Sequence, residues 1–175
     1  RAWGQGHSAR ARITNHHTNL VYLERDGEVL REFPVVDAAE ERMTDKSCLN
    51  VEDILRFADT VPLEKVEDVL LRQIEMNSAI AEEGLRGAWG AQIGRILMED
   101  YGGDLKQQAK AYAAAGSDAR MSGCELPVVI LSGSGNQGIT ACMPVVTYAK
   151  QIGATKEQLC RALIVSDLVT VLQKN

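Results

Sequence analysis

The spacing of apolar residues changes once along this chain, near residue 50, and that change limits the folds the chain can adopt. Before it, segments 9–13 and 20–23 alternate between apolar and other side chains, as half-buried β-strands do. Asp26-Gly27 is a hairpin signal, and 28–33 is compatible with the returning strand. Beyond Asn50 the apolar residues recur every three or four positions, which is typical of amphipathic helices. The predicted fold class is therefore α+β, with a small antiparallel sheet followed by a bundle of five or six helices.

Local signals predict where the first helices begin and end. Asn50 is expected to cap a short helix, and Pro62 suits the first turn of the next one. Gly84 and Gly87 are expected to interrupt that second helix. Residues 88–98 then predict another helix.

The last two helices carry their own boundary signals. Residues 138–152 predict a helix that accommodates Pro144 in its first or second turn and ends at Gly153. Thr155 with Gln158 predicts a capping box for the final helix. Two parts are expected: a β subdomain over 1–36 and a helical domain over 37–175, whose first residues, 37–49, form a loop.

Composition excludes several classes of protein. The chain has 175 residues, 45% of them apolar, and a net charge of −5 that offers no clustered basic face for nucleic acid. No run of 18 apolar residues is present, so we expect no membrane span, and no apolar signal core opens the chain. The four cysteines form no Cys-x-x-Cys pair, which favours free thiols in a cytoplasmic protein.

A polar, glycine-rich loop over residues 132–138 is the main candidate site. It follows a short apolar run, Leu126–Leu131, and precedes a predicted helix. The loop consists of Ser132, Gly133, Ser134, Gly135, Asn136, Gln137 and Gly138. Its glycines allow close backbone approach to a ligand, and exposed amides at a helix N-terminus favour an anion. Because the loop contains no Lys or Arg, backbone and neutral side-chain donors are expected to hold that anion.

Other motifs give weaker signals. The loop has neither the Gly-x-Gly-x-x-Gly nor the Gly-Lys-Ser/Thr pattern of nucleotide sites, and it could equally be a tight turn between a buried strand and a helix. His16 and His17 would point to opposite faces of a strand, so the two could not ligate one metal, and His7 adds no zinc pattern. The turn that holds His17 and Asn19 could still present a polar group to a neighbouring site. No metal site is predicted within the chain.

Residues 121–140 read MSGCELPVVILSGSGNQGIT, and this stretch resembles a known family. It is similar to the bacterial and archaeal L-cysteine desulfidases, which belong with the α-chain of iron–sulfur L-serine dehydratases. Supporting matches are His17-Thr18-Asn19, Glu24–Val29 and Arg161-Ala162-Leu163. The resemblance covers essentially the whole chain and implies an internal piece of a protein more than twice as long.

The resemblance implies a pyridoxal-independent lyase that uses an oxygen-sensitive [4Fe–4S] cluster. The family's products are pyruvate and ammonia, with sulfide when the substrate is cysteine. Its cluster cysteines are expected in segments outside this chain, so no cluster is expected on the fragment, which alone should be inactive. The loop 132–138 would hold the carboxylate of a small amino acid, chiefly through Ser134, Asn136 and Gln137. His17 and Asn19 would lie at the rim.

Alternatives remain open at this point. One is an L-serine dehydratase-type deaminase, since neutral hydrogen bonds serve serine and cysteine alike. Another is a non-catalytic domain that binds a small anion, and a third is a scaffold in which the loop is only a turn. Both ends of the chain look cut, so association into a homo-oligomer is also considered.

Overall fold

The chain divides into two compact units, Arg1–Asp45 and Lys46–Asn175. The computed structural model describes residues 1–14, 19–35 and 45–174. The first unit contains a four-stranded antiparallel sheet in the order β1-β2-β3-β4. The strands are β1 Ala2–Gly4, β2 His7–Ile13, β3 Leu20–Arg25 and β4 Glu28–Glu32.

The hairpin between β3 and β4 turns at Asp26-Gly27, as the sequence predicts. Both residues have positive φ, 50° and 85°, which a two-residue hairpin turn requires. The Asp26 carboxylate accepts hydrogen bonds from the Ser8 amide and the His7 ring, and these bonds lower the pKa of the Asp26 carboxyl. Strand β1 was not predicted, because three residues are too few to show alternation.

Helices make up most of the described part of the second unit. They are α1 Val51–Thr60, α2 Glu67–Arg86, α3 Ile93–Tyr101, α4 Leu105–Met121, α5 Gly135–Ile152 and α6 Lys156–Gln173. The Asn50 cap of α1 is confirmed, since its side-chain oxygen accepts from the Asp53 amide at 2.9 Å. The capping box of Thr155 and Gln158 at α6 is also confirmed. The described residues therefore confirm the predicted α+β class.

Several predicted boundaries are wrong. Gly84 does not interrupt α2, which continues to Arg86. The helix predicted over 88–98 begins only at Ile93, because Gly90 and Gln92 adopt left-handed backbone angles that a helix cannot contain. Most of the loop predicted over 37–49 lies outside the described residues.

The segment around α5 also differs from the prediction. Helix α5 begins at Gly135, so Pro144 lies in its interior and not in its first or second turn. The apolar run Leu126–Leu131 is not a strand: its one bridge joins Leu131 to Ser134, and Ile130 is 58% exposed. The loop therefore follows an extended segment that lies on the helices.

Helix α4 lies at the centre of the helical unit, packed against α2, α3 and α5. Its buried face consists of small residues: Ala111, Ala113, Ala115, Gly116 and Ala119. Small side chains let neighbouring backbones come close. A Cβ on Gly84 of α2 would lie 2.0 Å from the carbonyl oxygen of Ala115. The C-terminal end of this central helix brings Arg120 to the candidate loop.

Candidate carboxylate site at the start of helix α5

The loop 132–138 is a tight turn joined directly to a helix. The Leu131 amide donates to the Ser134 carbonyl and the Ser134 amide to the Leu131 carbonyl, both at 3.0 Å. The two residues between them, Ser132 and Gly133, have φ of 48° and 79°. This geometry is that of a two-residue turn with both central residues left-handed. The chain enters α5 at the next residue, so the turn fixes where the helix begins.

Ser134 caps α5. Its hydroxyl oxygen accepts from the Gln137 amide at 3.3 Å, and its carbonyl accepts from the Gly138 amide at 3.1 Å. The amides of Gly135 and Asn136 make no hydrogen bond to another described residue, as expected for the first turn of a helix. These donors and the helix dipole together favour a negatively charged group at this end of α5.

Two loop glycines are buried because other parts of the chain lie against them. A Cβ on Gly138 would lie 2.1 Å from the carbonyl oxygen of Val129. A Cβ on Gly135 would lie 2.2 Å from Nε of Arg120. Any side chain at these two positions would therefore displace either the extended segment or the arginine.

Asn77 of α2 holds the extended segment before the loop. It is fully buried, its Oδ1 accepts from the Val129 amide at 2.9 Å, and its Nδ2 donates to the Val129 carbonyl at 3.3 Å. A buried asparagine with both ends of its amide bonded fixes the position of one residue on its neighbour. Sequence reasoning missed Asn77, although an amide among the apolar positions of α2 was a readable signal.

Two cations reach the loop from distant parts of the chain. Nη1 of Arg120 donates to Oδ1 of Asn136 at 3.2 Å. Nζ of Lys174 donates to the Ser132 carbonyl at 2.6 Å and to Oε1 of Gln137 at 3.1 Å. Helices α4 and α6 end beside the loop and bring these cations to it, although the loop itself contains no Lys or Arg. That backbone and neutral donors hold an anion stays a prediction. No local sequence signal could have shown that Arg120 and Lys174 lie beside the loop.

The side-chain amide nitrogens of Asn136 and Gln137 remain available as hydrogen-bond donors. Because Arg120 and Lys174 occupy the amide oxygens of Asn136 and Gln137, the nitrogens of those side chains point elsewhere. Neither nitrogen bonds another described residue. The loop thus combines backbone donors, two amide donors and two nearby positive charges.

The second candidate, the turn at His17 and Asn19, is only partly described. His17 lies outside the described residues. Nδ2 of Asn19 donates to the Thr14 carbonyl at 3.0 Å, and the Asn19 carbonyl accepts from the Thr14 amide at 3.2 Å. Asn19 belongs to the first unit and the glycine loop to the second, so their sharing of one site stays a prediction.

The described residues do not by themselves form an iron–sulfur site. No group of three His, Cys, Asp or Glu side chains in residues 1–14, 19–35 and 45–174 is placed to hold a metal ion. Cluster ligation requires thiolates. Burial raises the pKa of the Cys142 thiol to about 12 and also raises that of Cys160, which favours the protonated thiols.

Comparison with known proteins identifies the family. The model of the serine dehydratase alpha chain matches residues 14–175. The chain belongs to the serine dehydratase alpha chain family. This confirms the predicted relation at the level of the family, and the substrate stays a prediction.

Similar proteins are named UPF0597. The protein of Desulfitobacterium hafniense is 51% identical over 93% of this chain, which covers 38% of that protein. Those of Lachnoclostridium phytofermentans and Treponema denticola are 46% and 42% identical over 96% and 97% of the chain, covering 40% and 41% of their lengths. The chain thus spans about two fifths of the length of these family members. No solved structure matches it.

Among the described residues, no helix is both long enough and apolar enough to cross a bilayer. The glycine loop lies within the residues matched by the serine dehydratase alpha chain model.

Proposed function

We propose that this chain contributes the carboxylate-binding part of a serine dehydratase-type lyase, and that the loop 132–138 is where the substrate binds. One observation carries the proposal: the amides of Gly135 and Asn136, which bond no other described residue, open α5 beside the Arg120 guanidinium. A carboxylate is the anion common to all amino-acid substrates of such a lyase. The family match supports the reaction class.

The proposed contacts are of two kinds. The backbone amides of Gly135 and Asn136 and the amide nitrogens of Asn136 and Gln137 would donate to the carboxylate oxygens. Arg120 and Lys174 would add positive charge from behind these amides. Hydrogen bonds to a charged group contribute about 1.5–3 kcal/mol each, so losing one such donor should be measurable as weaker substrate binding.

The proposed reaction is β-elimination from L-cysteine. The C–S bond breaks, the α-proton leaves, and sulfide departs with the bonding electron pair, which gives aminoacrylate. Its imine tautomer reacts with one water to give pyruvate and ammonia. L-Serine, which loses water at the first step, is the alternative substrate, and the loop would hold either one. The family resemblance also implies a [4Fe–4S] cluster, whose ligands would lie in segments outside this chain.

The test is turnover by the full-length protein that contains this chain, reconstituted anaerobically with iron and sulfide. Release of pyruvate with an equal amount of sulfide from L-cysteine is the expected result, and pyruvate from L-serine alone would support the deaminase alternative. If neither amino acid is consumed although iron is incorporated, the lyase proposal is wrong. Stabilisation by a small carboxylic acid without turnover would instead favour the non-catalytic anion-binding alternative.

A further inference from the structure

A small cavity lies where α2, α4 and α5 meet. Its volume is about 210 Å³, below the roughly 300–1,000 Å³ of sites for drug-sized ligands. None of the residues that line it belongs to the loop 132–138. On α5 its lining runs from Met143 to Gln151, and Thr147 lies about 18 Å along the helix from Gly135 at 1.5 Å per residue. The cavity is therefore separate from the proposed carboxylate site.

Two opposite charges line this cavity without pairing. Glu82 of α2 and Lys150 of α5 are both exposed, so they stand where the cavity opens to solvent. Within the described part of the chain, neither forms an ion pair with the other or with a third residue. A carboxylate and an ammonium group on the lining of one small cavity complement a ligand that carries both charges. That ligand is a zwitterion.

The rest of the lining offers a ligand apolar surface and a hydroxyl group. Met143 and Val146 supply apolar surface, and Met143 is 2% exposed. Among the described residues, the Ser78 hydroxyl has only the Met143 sulfur as a partner, at 3.9 Å, and a thioether is a weak acceptor. Ser78 therefore retains the capacity to bond a ligand in the cavity.

We propose that this cavity binds a free α-amino acid with a short side chain, its ammonium group facing Glu82 and its carboxylate facing Lys150. The proposal does not depend on the lyase activity, because it uses different residues from the loop. It assigns the α2–α4–α5 junction to an amino acid that is bound and not consumed.

The probe is L-alanine, which has no β-substituent to eliminate. Calorimetric titration is performed on the full-length protein carrying Asn136→Ala, so that the loop contributes less to the signal. L-Alanine is expected to bind, and ethylamine and propionate, which each lack one charge, should bind at least about tenfold more weakly. Glu82→Gln and Lys150→Gln should each weaken L-alanine binding by at least about tenfold.

The matched controls are Glu75→Gln on α2 and Lys110→Gln on α4, which remove exposed charges outside the cavity lining. They should leave the affinity unchanged, and all four variants should keep the melting temperature of the parent. The proposal fails if L-alanine does not bind, if Glu82→Gln and Lys150→Gln bind it as the parent does, or if ethylamine or propionate binds equally well. A raised KM in Asn136→Ala concerns the loop alone.

Discussion

Individual residues of the loop are constrained by atoms far away in the sequence. The sequence indicated that the loop glycines allow close backbone approach, and approach to a ligand stays a prediction. It could not show that the approaching atoms include the Val129 carbonyl and the Arg120 side chain, because Arg120 belongs to a different helix. For the same reason, the sequence did not show that Lys174 reaches the loop. Local chemistry thus predicted a turn here but not the Ser134 cap, since the helix was expected over 138–152 and begins at Gly135. Tertiary packing supplied the charges around the turn.

Replacing Gly138 with alanine should destabilise the protein. The new Cβ would lie 2.1 Å from a backbone oxygen, so the segment that contains Val129 must shift. Overpacking of this kind costs about 1–3 kcal/mol of the free energy of unfolding. Denaturant unfolding measures it, with Gly103→Ala as the control because no atom lies within 4 Å of that added Cβ. Equal stabilities for the two variants would contradict the close contact.

Arg120 should strengthen substrate binding more than catalysis. Arg120→Gln removes the positive charge beside Asn136, so KM for L-cysteine or L-serine should rise about tenfold with a smaller change in kcat. Steady-state kinetics on the full-length protein check this, with Arg72→Gln on the exposed face of α2 as the matched control. An unchanged KM in Arg120→Gln would remove Arg120 from the proposed site.

Asp167 should make stability depend on pH. Burial raises the pKa of its carboxyl above 3.8, and the hydrogen bond from Gln73 at 3.0 Å opposes this only in part. The folded protein therefore binds this proton more tightly than the unfolded chain, so stability falls as pH rises above 3.8 through the raised pKa.

Asp167→Asn keeps an oxygen that can accept from Gln73 and removes the buried charge. We expect a larger free energy of unfolding than the parent at neutral pH and a difference that shrinks toward acid pH. Unfolding curves at several pH values measure it, and the exposed Asp100→Asn on α3 is the control. The sign is wrong if the parent gains stability relative to Asp167→Asn as the pH rises.

At the scale of helices, sequence signals succeeded where the cause is local. The caps at Asn50 and at Thr155 with Gln158 involve residues three positions apart, and the stop at Gly153 uses its own left-handed backbone. The interior position of Pro144 was not predictable in the same way. Proline removes one helical hydrogen bond, and α5 accommodates that loss within a helix whose Ile139, Cys142 and Met143 are buried in the core.

The contact between α2 and α4 reverses the usual effect of alanine in a helix. An alanine normally stabilises a helix interior by about 0.5–1 kcal/mol relative to glycine. At Gly84 the added Cβ would lie 2.0 Å from the Ala115 carbonyl, so α2 and α4 must separate. Gly84→Ala should therefore lower the free energy of unfolding by about 1–3 kcal/mol.

Thermal or denaturant unfolding measures that change. Ala79→Gly on the exposed face of α2 is the comparison, since it tests helix propensity without the α4 contact and should cost about 0.5–1 kcal/mol. A Gly84→Ala protein more stable than its parent would mean that α2 and α4 are not in backbone contact at this position.

At the scale of the whole molecule, the sequence predicted an α+β protein related to the serine dehydratase alpha chain, and the described structure and the family match confirm both. The proposed loop contacts serve cysteine and serine alike, because they involve the carboxylate that both share. This chain covers about two fifths of the length of its relatives, so the activity of the whole protein stays a proposal.

The central claim is that the loop 132–138 binds the substrate's carboxylate, and Asn136→Ala in the full-length protein tests it most directly. KM for L-cysteine and for L-serine is measured beside Gln107→Ala, a half-buried α4 residue remote in sequence from the loop. We predict that KM rises at least about tenfold in Asn136→Ala alone, with the melting temperatures of both variants unchanged. A KM equal to that of the parent for the substrate that is turned over would contradict the claim.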